Sequence, residues 1–391
     1  MGAVFSGGGA VVSYDDGVQA AASGTTGTQR NEFNAAIKSV TSATTVGAVF
    51  LYDTSADSDG GKWRSKCKGL SWFDEAASAG VRSARSEFPA MALIVADDAS
   101  DSDRNVKIYD LDDPAMPLWM QFDASSDGSK YLYNAANKDL SSIFALNGRV
   151  YITAEDGAYD KLINFAEDEL VNITTNATGA NTMGQIANRN ATGFTSWTNP
   201  LYPIGQILSG ACNDVAMTVL EGAEIGALGL PIPTVAVATD GGVSVIHPSG
   251  DVYDITSSYS SSYNYAKKLS IDGSILAFEM DSTAAARDGW WFDLRTFYAN
   301  DTVTGNTNVG GLGSFSKFGE SGDILFAGNN VSALAKDAIG TEAGLSVYKR
   351  NTGNPAESMV SYHTSTYATG FMVGDIRFAG LAGNGTADEE R

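Results

Sequence analysis

The chain has 391 residues, 43% of them hydrophobic and 18% charged, which is enough to bury a large core in one or more domains. With 46 acidic against 25 basic residues the formal charge is −21, so most of the surface repels a polyanion and no nucleic-acid partner is expected. No run approaches the ~18 apolar residues that span a bilayer, and the N-terminus has neither the basic region nor the sustained apolar stretch of a signal peptide.

Residues 1–43 read as a short N-terminal extension. Within it, QRNEFNAAIKSV (Gln29–Val40) sets Phe33, Ile37 and Val40 at i, i+4 and i+7, the spacing of a short helix. From residue 44 the pattern changes to short apolar runs bounded by Gly, Asp, Asn and Ser. AVFLYDTSADSDGGKWR (48–64), ALIVADDASDSDRNVKIYD (92–110), SSIFALNGRVYITAEDGAYDKLINF (141–165), PTVAVATDGGVSV (233–245), SILAFEMDSTAAARDGWWFD (274–293) and DILFAGNNVSALAKDAIGTEAGLSVY (323–348) share one plan. Each has a strand of small and β-branched residues, an acidic or Gly-rich turn, and a strand carrying aromatics. Successive starts are mostly about 40–50 residues apart, the range of a four-stranded propeller blade. The doubled gap between 143 and 233 takes one more unit at PIGQILSGACNDVAMTVL (203–220).

The expected fold is therefore all-β, a six- or seven-bladed β-propeller over 44–378, with tandem β-sandwiches as the alternative architecture. LIVA (93–96) and VAVAT (235–239) are assigned to inner strands, where neighbouring blades crowd and small side chains fit, and KIYD and WWFD to outer strands. Trp72–Ala84, Ala-rich and polar, reads as a second short helix. The Asn/Thr-rich stretch at about 166–202 reads as a long inserted loop, and 379–391 as a linker-like tail.

Cys67 and Cys212 belong to no CxxC pair and exclude a disulfide framework; of the two readings left, one bridge or two buried free thiols, the free thiols are favoured. His247 and His363 have no second ligand at zinc spacing. The most suggestive stretch is DTSADSDGGKW (53–63). It resembles an EF-hand loop, but with Gly60 as position 6 the first and twelfth positions are Ser55 and Lys66, and lysine cannot ligate. It also resembles the sialidase Asp-box, with one residue too many, and that motif is a structural turn. Two readings remain. Asp53, Asp57 and Asp59, and in the sister loop Asp97, Asp98, Asp101 and Asp103, collect Ca²⁺; or these are solvated strand turns in which Asp and Gly serve backbone geometry.

No carboxylate pair can be singled out for glycoside hydrolysis among 46 acidic residues, no G-x-S-x-G occurs, and the arginines form no spaced triad, so no catalytic residue is assigned. TDGG (239–242) and SGGGA (6–10) lack the lysine and helix of a phosphate loop. Aromatic faces suit sugar rings. Trp197, in the polar stretch, and the Trp290–Trp291 pair are the carbohydrate-binding candidates, with Trp72–Phe73 as a further pair; packing between blades is the competing role for these side chains.

DTSADSDGGKWR, LSWFDEA, RSEFPAMALIVAD, KIYDLDDPAMPLWMQFD, DVAMTVL and LPIPTVAVATDGGVSVI, in that order, resemble a family of large virion-associated proteins of marine bacteriophages. The resemblance spans roughly 40–378. In that family the region is propeller-like and is often followed by a laminin-G/concanavalin-like lectin domain, which this sequence lacks. The resemblance implies a virion location in the phage tail, a tail-fibre-like structural role in host attachment, and other virion proteins and bacterial surface glycan as partners. It carries no catalytic residues. A propeller glycosidase or lyase acting on host glycan is the enzymatic alternative, and an oligomeric collar or nozzle component the purely structural one.

Overall fold

The computed structural model describes residues 46–97, 105–123, 131–132, 140–155, 160–173, 175, 180–191, 204–256, 264–281 and 287–295, together with short strands at 4–7, 10–13, 302–304, 331–335, 338–341, 344–349, 359–364, 376–381 and 387–389. The hairpin β1 (Val4–Gly7) and β2 (Ala10–Ser13) comes first. A four-stranded meander follows: β3 (Val46–Asp53), β4 (Met91–Asp97), β5 (Asn105–Asp110) and β6 (Leu118–Asp123). The second sheet has five strands, β7 (Leu140–Leu146), β8 (Arg149–Ala154), β9 (Asp160–Asn164), β10 (Glu169–Ile173) and β11 (Asn181–Gly184). The third comprises β12 (Cys212–Thr218), β13 (Thr234–Thr239), β14 (Gly242–Ile246) and β15 (Val252–Thr256). The fourth holds β16 (Tyr265–Asp272), β17 (Ile275–Asp281) and β18 (Arg287–Asp293). After β19 (Thr302–Thr304), which pairs parallel with β15, comes a six-stranded sheet. It consists of β20 (Val331–Ala335), β21 (Ala338–Thr341), β22 (Gly344–Lys349), β23 (Met359–Thr364), β24 (Ile376–Leu381) and β25 (Ala387–Glu389).

The first strand of each sheet lies beside the first strand of the next: β3 beside β7, β7 beside β12, β12 beside β16, and β16 beside β20. Successive antiparallel sheets stacked in this way are the blades of a β-propeller. Tandem sandwiches would pair sheets two by two; here the second and third sheets each carry a neighbour on both faces. The side chains record it. On β8, Val150, Ile152 and Ala154 enter the core shared with the first blade, whereas Tyr151 enters the core shared with the third. On β13, Val235 and Val237 face the second blade, and Ala236 and Ala238 face the fourth. Alternation across a pleated strand thus feeds two cores at once. Among the described residues, β3 is covered on one face only: Ala48 and Tyr52 are buried, while Val49 and Leu51 are more than half exposed.

Several details differ from the expectation. The units beginning at 48 and 92 fall in one blade, on β3 and β4, and those at 203 and 233 fall in one blade, on β12 and β13. The repeated plan is a strand pair inside a blade rather than a whole blade. The small, β-branched runs LIVA and VAVAT lie on second strands, β4 and β13. Their composition comes from burial on both faces and pairing on both edges, not from crowding around an axis. Residues 166–202 are not one long loop, because β10 and β11 complete the second blade there. Part of 379–391 is strand, since β25 pairs with β24. Gln29–Val40 lies outside the described residues.

Trp72–Ala84 is not a helix. Its backbone groups bond elsewhere: Ser78 and Arg82 pair with each other across a tight turn, Ser83 donates to the Trp119 carbonyl, and Val81 accepts from the Gln121 amide of β6. The Arg82 guanidinium donates to the carbonyls of Trp72, Ser83, Arg85 and Ser86. Its charge is further met by Glu75 at 3.6 Å and by the Trp119 ring at 4.6 Å. Only the single turn α1 (Trp63–Lys66) is helical in this region. The segment closes over an aromatic cluster in which Phe165 sits 5.3 Å from Trp72, 5.0 Å from Phe88 and 5.8 Å from Trp119, all fully buried. Phe165→Ala is expected to lower unfolding stability by about 3–5 kcal/mol through the cavity it leaves. A denaturant titration of both proteins measures this, and an unchanged midpoint would mean that the cluster does not hold the first two blades together.

Candidate functional site

The acidic turn after β3 is a junction between blades. Asp53 caps the turn at Thr54–Ala56 by accepting from the Ser55 amide at 2.9 Å. Asp57 turns inward. Its carboxylate accepts from the Tyr52 hydroxyl at 2.7 and 2.9 Å, the Trp63 indole at 2.7 Å and the Asn147 amide at 2.7 Å. Burial raises its pKa, while these hydrogen bonds pull the other way. Gly61 has φ +76°, and a Cβ there would press on Thr54; the left-handed conformation is what brings Trp63 back toward Asp57. Asp59 instead pairs with Lys66 at 3.2 Å.

Asn147, in the β7–β8 turn, carries the junction onward. Its side chain accepts from the Ser58 amide at 2.9 Å and donates to the Pro231 carbonyl at 2.8 Å, just before β13. Gly148 donates its amide to the Tyr52 hydroxyl at 2.8 Å. Along the first strands, Ser142 on β7 donates to Asp214 on β12 at 2.7 Å, and Asp214 accepts from the Leu269 amide on β16 at 3.1 Å. Carboxylates and one carboxamide thus cross-tie four successive blades.

Of the residues assigned to Ca²⁺, Asp53, Asp57 and Asp59 each serve a different partner and do not converge. Asp97 is buried against Lys107 at 2.8 Å. Asp98, Asp101 and Asp103 lie outside the described residues. Among the described residues, no group of three or more His, Cys, Asp or Glu stands together at metal-binding geometry. Trp197 also lies outside them. Trp290 and Trp291 are on β18, in register with Phe278 and Ala277 of β17. Trp72 is a core residue, fully buried, with its indole donating to the Phe165 carbonyl at 3.0 Å. TDGG is the β13–β14 turn: Gly242 has φ +132°, and a Cβ there would collide with the Ile255 carbonyl of β15.

Cys67 and Cys212 are free and buried. Burial pushes the Cys67 thiol up to about 12 and also raises that of Cys212, so neither is a ready nucleophile. Three groupings were not legible in the sequence. Arg189 reaches Glu75 at 2.7 Å, beside Arg82, joining segments far apart in the chain. His247, Ser249 and Asp251 meet in the β14–β15 turn, where Ser249 contacts the His247 Nδ1 at 2.8 Å and donates to Asp251 at 2.7 Å. The alternation H-P-S-G-D is the signal that could have revealed it. The serine proton is held by the carboxylate there, so this set closes a turn.

The third grouping is fully buried in the second blade. Asp160 accepts from the Tyr151 hydroxyl at 3.0 Å and the Ala154 amide at 3.2 Å, with the Cys212 thiol alongside. Burial raises its pKa to about 7. The adjacent Lys161 is lowered by burial, also to about 7, with Asp160 opposing the shift. Lys161 donates to the Asn172 side-chain oxygen at 2.7 Å.

No protein-family pattern matches this sequence, and no curated protein matches it. Among solved structures, the chain is similar to the WD40 domain of SCAP from fission yeast, with 11% identity and a TM-score of 0.31 over 75% of this chain and 54% of that one. It thus spans about half of that protein's length. It is also similar to the β-propeller domain of Nup133 from Vanderwaltozyma polyspora, with 8% identity and a TM-score of 0.25 over 76% of this chain and 87% of that one.

Asp57→Ala would leave buried donors on Tyr52, Trp63 and Asn147 unpaired, at about 1–3 kcal/mol for each unsatisfied group. A loss of at least about 3 kcal/mol is expected in chemical denaturation; a loss near zero would show that the junction is not structural. Asp160 gives a pH signature. Its folded pKa stands above the unfolded value, so between about pH 4 and 7 the folded state holds a proton that the unfolded state has released. Its contribution to stability is complete at low pH and falls as pH rises to about 7. Asp160→Asn should flatten that fall in denaturation midpoints taken across the range; an identical slope in both proteins would overturn the assignment.

Proposed function

We propose that the chain is a virion-associated, tail-fibre-like structural protein of a bacteriophage, acting as a rigid platform in attachment to the host surface. The observation that carries this reading is the cross-tying of blades by the buried side chains of Asp57 and Asn147 and the half-buried one of Asp214. Asp57, Asn147 and Asp214 each bond a backbone or side-chain group of another blade. A protein that transmits load at a cell surface needs blades that do not shear past one another, and buried, fully hydrogen-bonded carboxylates resist shear because separation strands their partners unpaired. The ordered series of motifs from DTSADSDGGKWR to LPIPTVAVATDGGVSVI supports the virion assignment by resemblance. The partners in this reading are neighbouring virion proteins and bacterial surface glycan.

Quantitative mass spectrometry of purified virions of the encoding phage tests the location. Peptides of this chain are expected at the stoichiometry of a tail component, and the purified chain is expected to slow phage adsorption to host cells. Absence of the chain from virions would overturn the reading.

A further inference from the structure

We propose that Lys161 and Asn172 join in an intramolecular isopeptide bond, a covalent strut between β9 and β10 of the second blade. The two residues are direct cross-strand partners. The Lys161 Nζ lies 2.7 Å from the Asn172 Oδ1, and both side chains are buried, at 3% and 6% exposure. The carboxamide carbon stands one C=O bond of about 1.23 Å beyond that oxygen, so the amine is within reach of the atom it would attack. Rotation of the Asn172 carboxamide about its terminal torsion turns the hydrogen-bonded pose into an attacking one.

The surroundings hold the pair in place. The Tyr131 ring lies 5.6 Å from the Lys161 Nζ. Its hydroxyl donates to the Leu162 and Val171 carbonyls, each at 3.0 Å, so the ring is anchored on the same two strands. Ile152 on β8 is the Lys161 cross-strand neighbour on the other side. The burial that lowers the Lys161 amine to about 7 leaves a substantial fraction as free base near neutral pH.

The chemistry balances without a co-reactant. The Nζ lone pair forms a bond to the Asn172 Cγ, a Nζ proton passes to Nδ2, the Cγ–Nδ2 bond breaks, and ammonia leaves. Holding a neutral amine against an amide carbonyl in a water-poor site substitutes for concentration, with effective molarities of about 10⁵–10⁸ M for well-oriented groups. The inference concerns the folded chain alone and does not depend on the virion assignment.

Mass spectrometry of the purified full chain is the test. The intact protein is expected to be lighter than its sequence by one ammonia. Trypsin does not cut after an acylated lysine, and the next cleavage sites are Arg149 and Arg189. Residues 150–189 should therefore appear as one peptide, lighter by one ammonia, with fragmentation placing the link between Lys161 and Asn172. Lys161→Arg and Asn172→Ala should each restore the mass expected from their own sequences. Full mass in the natural chain, with 150–161 and 162–189 as separate peptides, would overturn the proposal. So would an ammonia loss mapped elsewhere while trypsin still cuts after Lys161.

Discussion

The Asp57 carboxylate is the contact on which the first two blades depend. Three donors from two sequence regions converge on it: Tyr52 at the end of β3 and Trp63 at the start of α1, and the Asn147 amide from the next blade. None of these donors reaches water, so each is satisfied by this carboxylate or left unpaired in the core. That asymmetry fixes the position of the β7–β8 turn relative to β3. Asn147 then reaches on to Pro231, and Asp214 repeats the device between β7, β12 and β16. Apolar packing between blades is non-directional; these polar ties supply its register.

Around them, composition follows from two-sided burial. Every residue of β8, β13 and β14 is buried, because each of these strands has a sheet on either face and a strand on either edge. Small and β-branched side chains let neighbouring sheets approach, and bulky aromatics gather in one cluster. Trp72, Phe88, Trp119 and Phe165 fill the space under the 67–90 segment between the first and second blades. Arg82 supports that irregular segment by satisfying carbonyls that no helix or sheet satisfies.

Buried charge elsewhere follows the same economy of partners. Asp160 and Lys161 are adjacent on β9 yet serve opposite faces, one toward Tyr151 and the third blade, the other toward Asn172 and Tyr131. Strand alternation keeps them from neutralising each other directly, which is why both are shifted by burial toward their uncharged forms. The second blade therefore holds an amine and a carboxamide in contact, away from bulk water.

The sequence by itself determined the all-β class and the strand-and-turn plan, and it set a propeller ahead of tandem sandwiches and free thiols ahead of a bridge. These depend on local alternation, Gly- and Asp-bearing turns and composition, all of which act over a few residues. The tertiary structure alone decided which strand pairs share a blade, because two pairs with one plan look like two repeats until their hydrogen-bonding partners are known. It decided that the acidic turn at 53–63 ties blades together, since the Asp57 partner Asn147 lies 90 residues away in sequence. It also overrode a helical reading of Trp72–Ala84 by pairing the 78–83 backbone with itself and with β6. A carboxylate in a sequence carries no mark of whether it faces solvent, an ion or a neighbouring turn. Only the fold, by choosing which donors it meets and how far water is kept away, settles which of these it serves.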